Sequence, residues 1–327
     1  MENKYSKKYI IETGMGLQDV DQLKNSSYFV NESKRYIKGE ISLSELEEII
    51  NSYYKNKPEE SEERTEEADK ISVRIAQIIE DDSFVFSVGQ LVSIHKRLFE
   101  GVYGHAGKFR NYNFSKKEWV LDGASVWYGD YRLLDATLQY DFDTERNFEY
   151  VGLSIDEIII HLATFISNLW QVHPFEEGNT RTTAAFIIKY LRSLGFTATN
   201  DTFAKNAWYF RNALVRANYR NYQKNVYEDK SYLIMFLRNL LLGEKNTLHN
   251  RDLHISAATN KTLPTREGMV LEQIKNNPSI KIDDLAKILN VSPRTIDNII
   301  ASLTEKGIIE RVGGKKSGYW KEKTIVK

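Results

Sequence analysis

His173-Pro174-Phe175-Glu176-Glu177-Gly178-Asn179-Thr180-Arg181, followed by the apolar run Ala184-Ala185-Phe186-Ile187-Ile188 and Tyr190-Leu191, decides how this chain is read. His173 can exchange a proton near neutral pH. Glu177 is a hard oxygen donor, the kind that Mg²⁺ takes together with phosphate oxygens. Gly178-Asn179-Thr180-Arg181 reads as a tight turn that opens a helix, and bare N–H groups at a helix N-terminus bind anions. The apolar residues that follow supply the buried side of that helix. A base, an acid and an anion cradle this close together point to phosphate-ester chemistry.

Outward from this stretch the pattern is mainly helical. Leu133 to Phe148, Ile155 to Val172, Thr180 to Leu194, Asp201 to Asn218 and Lys230 to Leu242 all suit helices, as does most of Ala68 to Phe99. Earlier in the chain, Leu43, Leu46 and Ile50 fall at helical spacing behind Ser42, a plausible N-cap. The acidic run Glu59 to Glu67 reads as a mobile connection or a solvated helix start. Between Gly107 and Tyr131 the composition turns aromatic and Gly-rich, and Asp122-Gly123 is a hairpin signal, so one small β flap interrupts the helices. The fold class expected is mainly α with a small β-hairpin flap.

Residues 243 to 264 lose apolar periodicity and contain Gly243, Asn246, Asn250 and Pro264, which marks a linker. Beyond it, helices at Met269 to Ile274 and Ile282 to Leu289 precede a third, with Ser292 as N-cap and Pro293 at its first position. Ile308 to Val312, Gly313-Gly314 and Tyr319-Trp320 then read as strand, turn and strand. This order looks like a winged helix-turn-helix. The expected division is a helical region at 1–67, a catalytic domain at 68–245, a linker at 246–264 and a winged helix at 265–327.

A length of 327 residues suits about two domains with a sizeable core. Formal net charge is zero, so no global field favours nucleic acid or membrane. The absence of cysteine excludes disulfides, thiol catalysis and cysteine-ligated zinc. The most apolar window, Ile158 to Ile166, is too short to span a bilayer and contains His161. With no apolar signal core at Met1 to Ser6, a cytoplasmic location is expected. His95, His105, His161, His249 and His254 lack metal-ligand spacing and read as structural or surface residues.

The stretch at 173–181 resembles the signature of the Fic family, HxFx(D/E)GNxRxxR. The resemblance extends to the helix at Leu91 to Glu100 and the Gly-turn at Gly101 to Arg110, covering roughly residues 70 to 245. It implies a Fic-type helical bundle that moves AMP from ATP onto a Ser, Thr or Tyr hydroxyl of a target protein. His173 would be the base and Glu177 the Mg²⁺ ligand. Gly178, Asn179, Thr180 and Arg181 would bind the nucleotide phosphates, and Phe175 would pack the loop from inside. The flap from about Asn113 to Tyr128 would dock the target by strand addition.

Thr180, at a position often Gly or Lys in relatives, is one departure from the resemblance, and there are two further differences. The second signature arginine falls at Ala184, and no (S/T)xxxE(G/N) inhibitory helix is present, so that brake is expected to be absent or replaced. Two other readings stay open. One is a nucleotide-binding, DNA-binding regulator with weak catalysis. The other is a Fic-fold enzyme that transfers a different phosphate-linked group. Residues 292 to 327 hold eight Lys/Arg against four Asp/Glu, so the winged helix could meet DNA through Arg294, Thr295 and the wing lysines Lys315 and Lys316, or could dock protein. A homo-oligomer is also possible.

Overall fold

The computed structural model describes residues 5–56, 64–198, 201–224, 226–258, 266–289, 291–305, 308–314 and 318–322. The chain divides into two compact units, residues 1–255 and 256–327. The first unit holds helices α1 (Lys7–Gly16), α2 (Ser27–Lys38), α3 (Leu43–Asn56), α4 (Thr65–Glu80) and α5 (Val88–Phe99). After the flap come α6 (Leu134–Arg146), α7 (Ile155–Val172), α8 (Asn179–Ser193), α9 (Thr202–Ala217), α10 (Ser231–Leu242) and the short α11 (Asn250–Leu253).

Helix α8 is the centre of this unit. Every residue from Asn179 to Leu191 is buried, and α4, α5 and α7 pack around it. A helix apolar all round must lie inside a domain, and the Ala184 to Ile188 run makes this one so. Its neighbour α7 begins at a capping box in which Ser154 and Glu157 each bond the other's backbone N–H. The N-terminal helices share this core: Ile10, Ile11, Leu17, Phe29, Leu46 and Ile50 belong to the same buried cluster as Phe175 and Ile187. Residues 1–67, read as a region preceding a domain from 68, therefore belong to one folding unit with it. The contact is close. A Cβ on Gly14 would lie 2.3 Å from the Ser72 carbonyl oxygen of α4, and one on Gly16 2.2 Å from that of Ala204 in α9.

The helical run expected from Ala68 to Phe99 is broken between α4 and α5. Asp81 accepts from the Ser83 amide at 2.8 Å, and Ser87 caps α5 by accepting from the Gln90 amide at 3.1 Å. Phe84 and Phe86 pack that break onto the core, so the apolar content continues although the helix does not. The segment expected as a linker from 246 also differs. Asn239 bonds Asn246 through side chain and backbone, Asn212 donates to Asn250, and Arg216 donates to the Leu253 carbonyl, so the chain stays packed there. The part of that linker at 259–264 lies outside the described residues.

The flap is a two-stranded antiparallel hairpin, β1 (Ser115–Lys117) with β2 (Ser125–Trp127), in the register Ser115 to Trp127, Lys116 to Val126 and Lys117 to Ser125. Asp122 and Gly123 both take left-handed backbone in the connection. The flap tryptophans are outside the core: Trp119 is 50% exposed and Trp127 70%.

Helix α12 (Ile255–Ala258) begins at the last residue of the first unit, and the second unit holds α13 (Arg266–Asn276), α14 (Ile282–Ile288), α15 (Pro293–Glu305) and the antiparallel pair β3 (Ile309–Val312) and β4 (Tyr319–Glu322). Val270, Ile274, Leu285, Ile296, Ile300 and Leu303 form its core, closed by Trp320. The Ser292 hydroxyl accepts from the Thr295 amide at 3.2 Å, as expected of the cap. Lys315 and Lys316 lie outside the described residues. No described helix is long and apolar enough to cross a membrane.

Candidate active site on the loop before α8

Helix α7 ends at Val172, and His173 takes left-handed backbone with φ 50°. Arg110 holds this turn. Its backbone N–H donates to the Pro174 carbonyl at 2.9 Å and its Nε to the His173 carbonyl at 2.8 Å. Its Nη atoms reach the carbonyls of Tyr112, Gly129 and Val172. A guanidinium at the carbonyl end of α7 meets the negative end of the helix dipole and satisfies oxygens that the helix leaves open.

The His173 ring is buried between aromatics. Tyr128 stacks on it at 3.7 Å with 14° between planes, and Trp170 stands edge-on at 5.2 Å. Its Nδ1 lies 3.2 Å from the Trp170 carbonyl, which can only accept, so Nδ1 carries the proton and Nε2 the lone pair. Burial, and then the charges of Lys116, Arg211 and Arg110, hold its pKa well below 6.5 against the opposing pull of that carbonyl. His173 is therefore a neutral base at pH 7.

The loop beyond it is fastened from inside. Phe175 is buried and stacks on His95 at 3.7 Å. Asn179 reaches back, accepting from the Phe175 amide at 2.9 Å and donating to the Phe175 carbonyl at 2.7 Å. Gly107 N–H donates to His95 Nδ1 at 2.8 Å, so His95 Nε2 donates to the Glu177 carbonyl at 3.0 Å. Burial brings His95 down to about 4, which keeps it neutral in this role. Gly178 has φ 76°, and a Cβ there would lie 2.2 Å from Phe99 Cζ. No side chain caps α8 at Gly178, which leaves its first-turn N–H groups able to serve an external acceptor. Thr180 ties α8 to α7 by accepting from Trp170 Nε1 at 3.0 Å.

Residues 85–191 match the family model described as Fic/DOC family, and residues 266–320 match one described as HTH domain. The chain carries a Fic/DOC domain. Similar solved structures include a Fic family protein from Desulfovibrio desulfuricans G20, 13% identical over 98% of this chain and 88% of that one, at TM-score 0.45. Another is a Fic domain containing signaling protein from Bacteroides thetaiotaomicron VPI-5482, 15% identical over 79% and 90%, at TM-score 0.47. A third is the N-terminal Fic domain of a Bartonella effector protein, 18% identical over 53% and 81%, at TM-score 0.41. No curated protein matches the chain.

Within the Fic/DOC domain the signature residues divide by what they touch. His173, Glu177 and the start of α8 lie on one loop. The Asn179 amide, expected on phosphate, is spent on closing that loop. Arg181, expected on phosphate, has a fully buried guanidinium whose Nη atoms are taken, while its Nε has no partner among the described residues. Its Nη2 lies 2.7 Å from Glu67 and 2.9 Å from Asp21, and its Nη1 3.1 Å from Gln18. Glu67 was grouped with a solvated acidic run, yet it is buried and also held by Arg64 and Tyr103. The earlier part of that run, 59–63, lies outside the described residues.

Glu177 is half-exposed, and Lys116 Nζ of the flap lies 3.1 and 3.3 Å from its two oxygens. Among the described residues no group of three or more His, Cys, Asp or Glu forms a metal cage. The donor set fits a hard cation that takes one carboxylate here and its other ligands from phosphate and water. Arg110, His95, Asp21 and Glu67 were not read from sequence as site residues, and Lys116 and Tyr128 only as part of the docking flap. The alternation of the flap residues was the signal available for Lys116, and nothing local marked the others.

Proposed function

We propose that the Fic/DOC domain is a protein adenylyltransferase that moves AMP from ATP to a Ser, Thr or Tyr hydroxyl of a target protein. Fic/DOC domains generally transfer phosphate-linked groups such as AMP onto proteins. The observation that supports the reading here is the fixed tautomer of His173, a neutral base beside an α-helix N-terminus and a carboxylate. The target hydroxyl gives its proton to His173 Nε2 as its oxygen bonds the α-phosphorus. The bond from that phosphorus to the pyrophosphate oxygen breaks, and pyrophosphate leaves. First-turn N–H groups of α8 receive phosphate oxygens. Glu177 would hold Mg²⁺ together with phosphate oxygens, and the ion would supply charge neutralisation on the leaving group. The exposed flap, with Trp127 at its edge, receives the target backbone.

The occupied Arg181 and the absent second arginine at Ala184 favour a second reading, transfer of a different phosphate-linked group with a smaller leaving group. Labelling separates the two. ATP carrying label at the α or the γ phosphate is supplied with Mg²⁺ and lysate, beside a His173→Ala control. Transfer of α label alone, lost in the control, establishes the proposal. No transfer from either position removes ATP as donor.

The HTH domain is proposed to bind DNA through α15, whose exposed Arg294 and Asn298 lie on the face opposite its core residues. Binding that is insensitive to salt and to Arg294→Ala would argue for a protein partner instead.

A further inference from the structure

The flap places a lysine on its inner face, toward the loop of the site. Lys116 is directly opposite Val126 in the hairpin register, and directly opposed residues share a face of the sheet. Val126 is buried, whereas Trp127 on the other face is exposed, so Lys116 stands on the inner face. From there its ammonium contacts both oxygens of Glu177, at 3.1 and 3.3 Å. Phe114, immediately before β1, packs edge-on to the His173 ring at 5.7 Å. The start of the flap thus touches the proposed base and the proposed metal carboxylate together.

An ammonium and a divalent cation cannot both sit against one carboxylate without like-charge repulsion. The same cation does complement a phosphate oxygen bound at the start of α8. We propose that Lys116 is the resident counter-ion of Glu177 and transfers to a nucleotide phosphate oxygen when a divalent cation binds, fastening the flap over the nucleotide. The inference rests on the nucleotide-binding reading above. It makes Lys116 a phosphate-contacting residue and adds a positive group to a site in which the Arg181 Nη atoms are taken and position 184 is alanine.

The test is equilibrium binding of a non-hydrolysable ATP analogue with Mn²⁺ to the full chain, its Lys116→Met and Lys116→Arg variants, and Glu177→Gln. Hydrogen exchange of flap amides at 115–127 is followed in parallel. Lys116→Met should weaken binding on the order of fivefold, the value of one half-exposed ion pair, and Lys116→Arg should restore most of it. Nucleotide should slow flap exchange in the wild type and not in Lys116→Met. Unchanged or tighter binding by Lys116→Met, while Glu177→Gln loses its Mn²⁺ response, overturns the transfer and leaves the nucleotide reading intact. Absence of analogue binding by the wild type and every variant overturns both.

Discussion

Arg181 and Glu67 meet at 2.7 Å across 114 residues of sequence, so the arginine of the signature is anchored to the first turn of α4. Removing one partner of a buried pair leaves the other charge stranded. Glu67→Gln is expected to cost about 3 kcal/mol, the low end for a buried pair, because Asp21 still faces Arg181. Burial alone would raise the Glu67 carboxyl, but Arg181, Arg64 and Tyr103 hold it below 4.5. Its stabilisation is therefore present above about pH 4.5 and lost as pH falls through the lower folded value. Urea denaturation between pH 3 and 7 should show this slope in the wild type, and a flatter one in Glu67→Gln.

His173 should stay neutral far into acid. Its folded pKa is depressed, so the unfolded chain takes a proton near 6.5 while the folded one refuses it, and stability declines as pH falls through that window. The imidazole resonances of His173 are expected to titrate well below those of an exposed histidine, and the acid limb of group transfer should follow them. A His173 resonance titrating at an ordinary value would remove this explanation of its neutral state. His173→Ala should lower transfer about 10²- to 10⁴-fold.

Gly178 carries two constraints at once. Its φ of 76° is strained for any L side chain, and a Cβ would strike Phe99. Gly178→Ala is expected to lose about 2–4 kcal/mol, combining left-handed strain with overpacking. Adding Phe99→Leu should recover the steric part and leave the dihedral part, which thermal unfolding of the single and double variants can separate.

Trp127 offers the opposite case. At 70% exposure its truncation should change stability by less than about 0.5 kcal/mol. If the flap docks the target, Trp127→Ala should raise KM for a protein acceptor and leave nucleotide affinity unchanged. Equal KM for wild type and variant would place target docking elsewhere.

Much of this architecture was legible because helical periodicity is a local signal. The expected helix Ile155 to Val172 coincides with α7, and those expected at Thr180, Asp201 and Lys230 agree with α8, α9 and α10 to within a residue or so at each end. The loop of the site was legible through its residue types and spacing. What could not be read was pairing over distance. Glu67 belongs to a charge run that looks solvated, and only the tertiary fold brings it to Arg181. Arg110 lies 63 residues from His173, and its claim on that carbonyl leaves no pattern in either segment. The break between α4 and α5 was missed because Phe84 and Phe86 keep the apolar content of a helix inside a turn.

The close seating of α1 against α4 and α9 bears on how this protein can be shortened. Gln18, Asp21 and Glu67 all lie upstream of the matched stretch 85–191, yet they neutralise and solvate an arginine inside it. A fragment trimmed to the recognisable sequence would carry a bare guanidinium into its own interior, together with the uncovered apolar flank of α8. Such a piece should collect in inclusion bodies, and a soluble catalytic fragment should have to begin no later than α1.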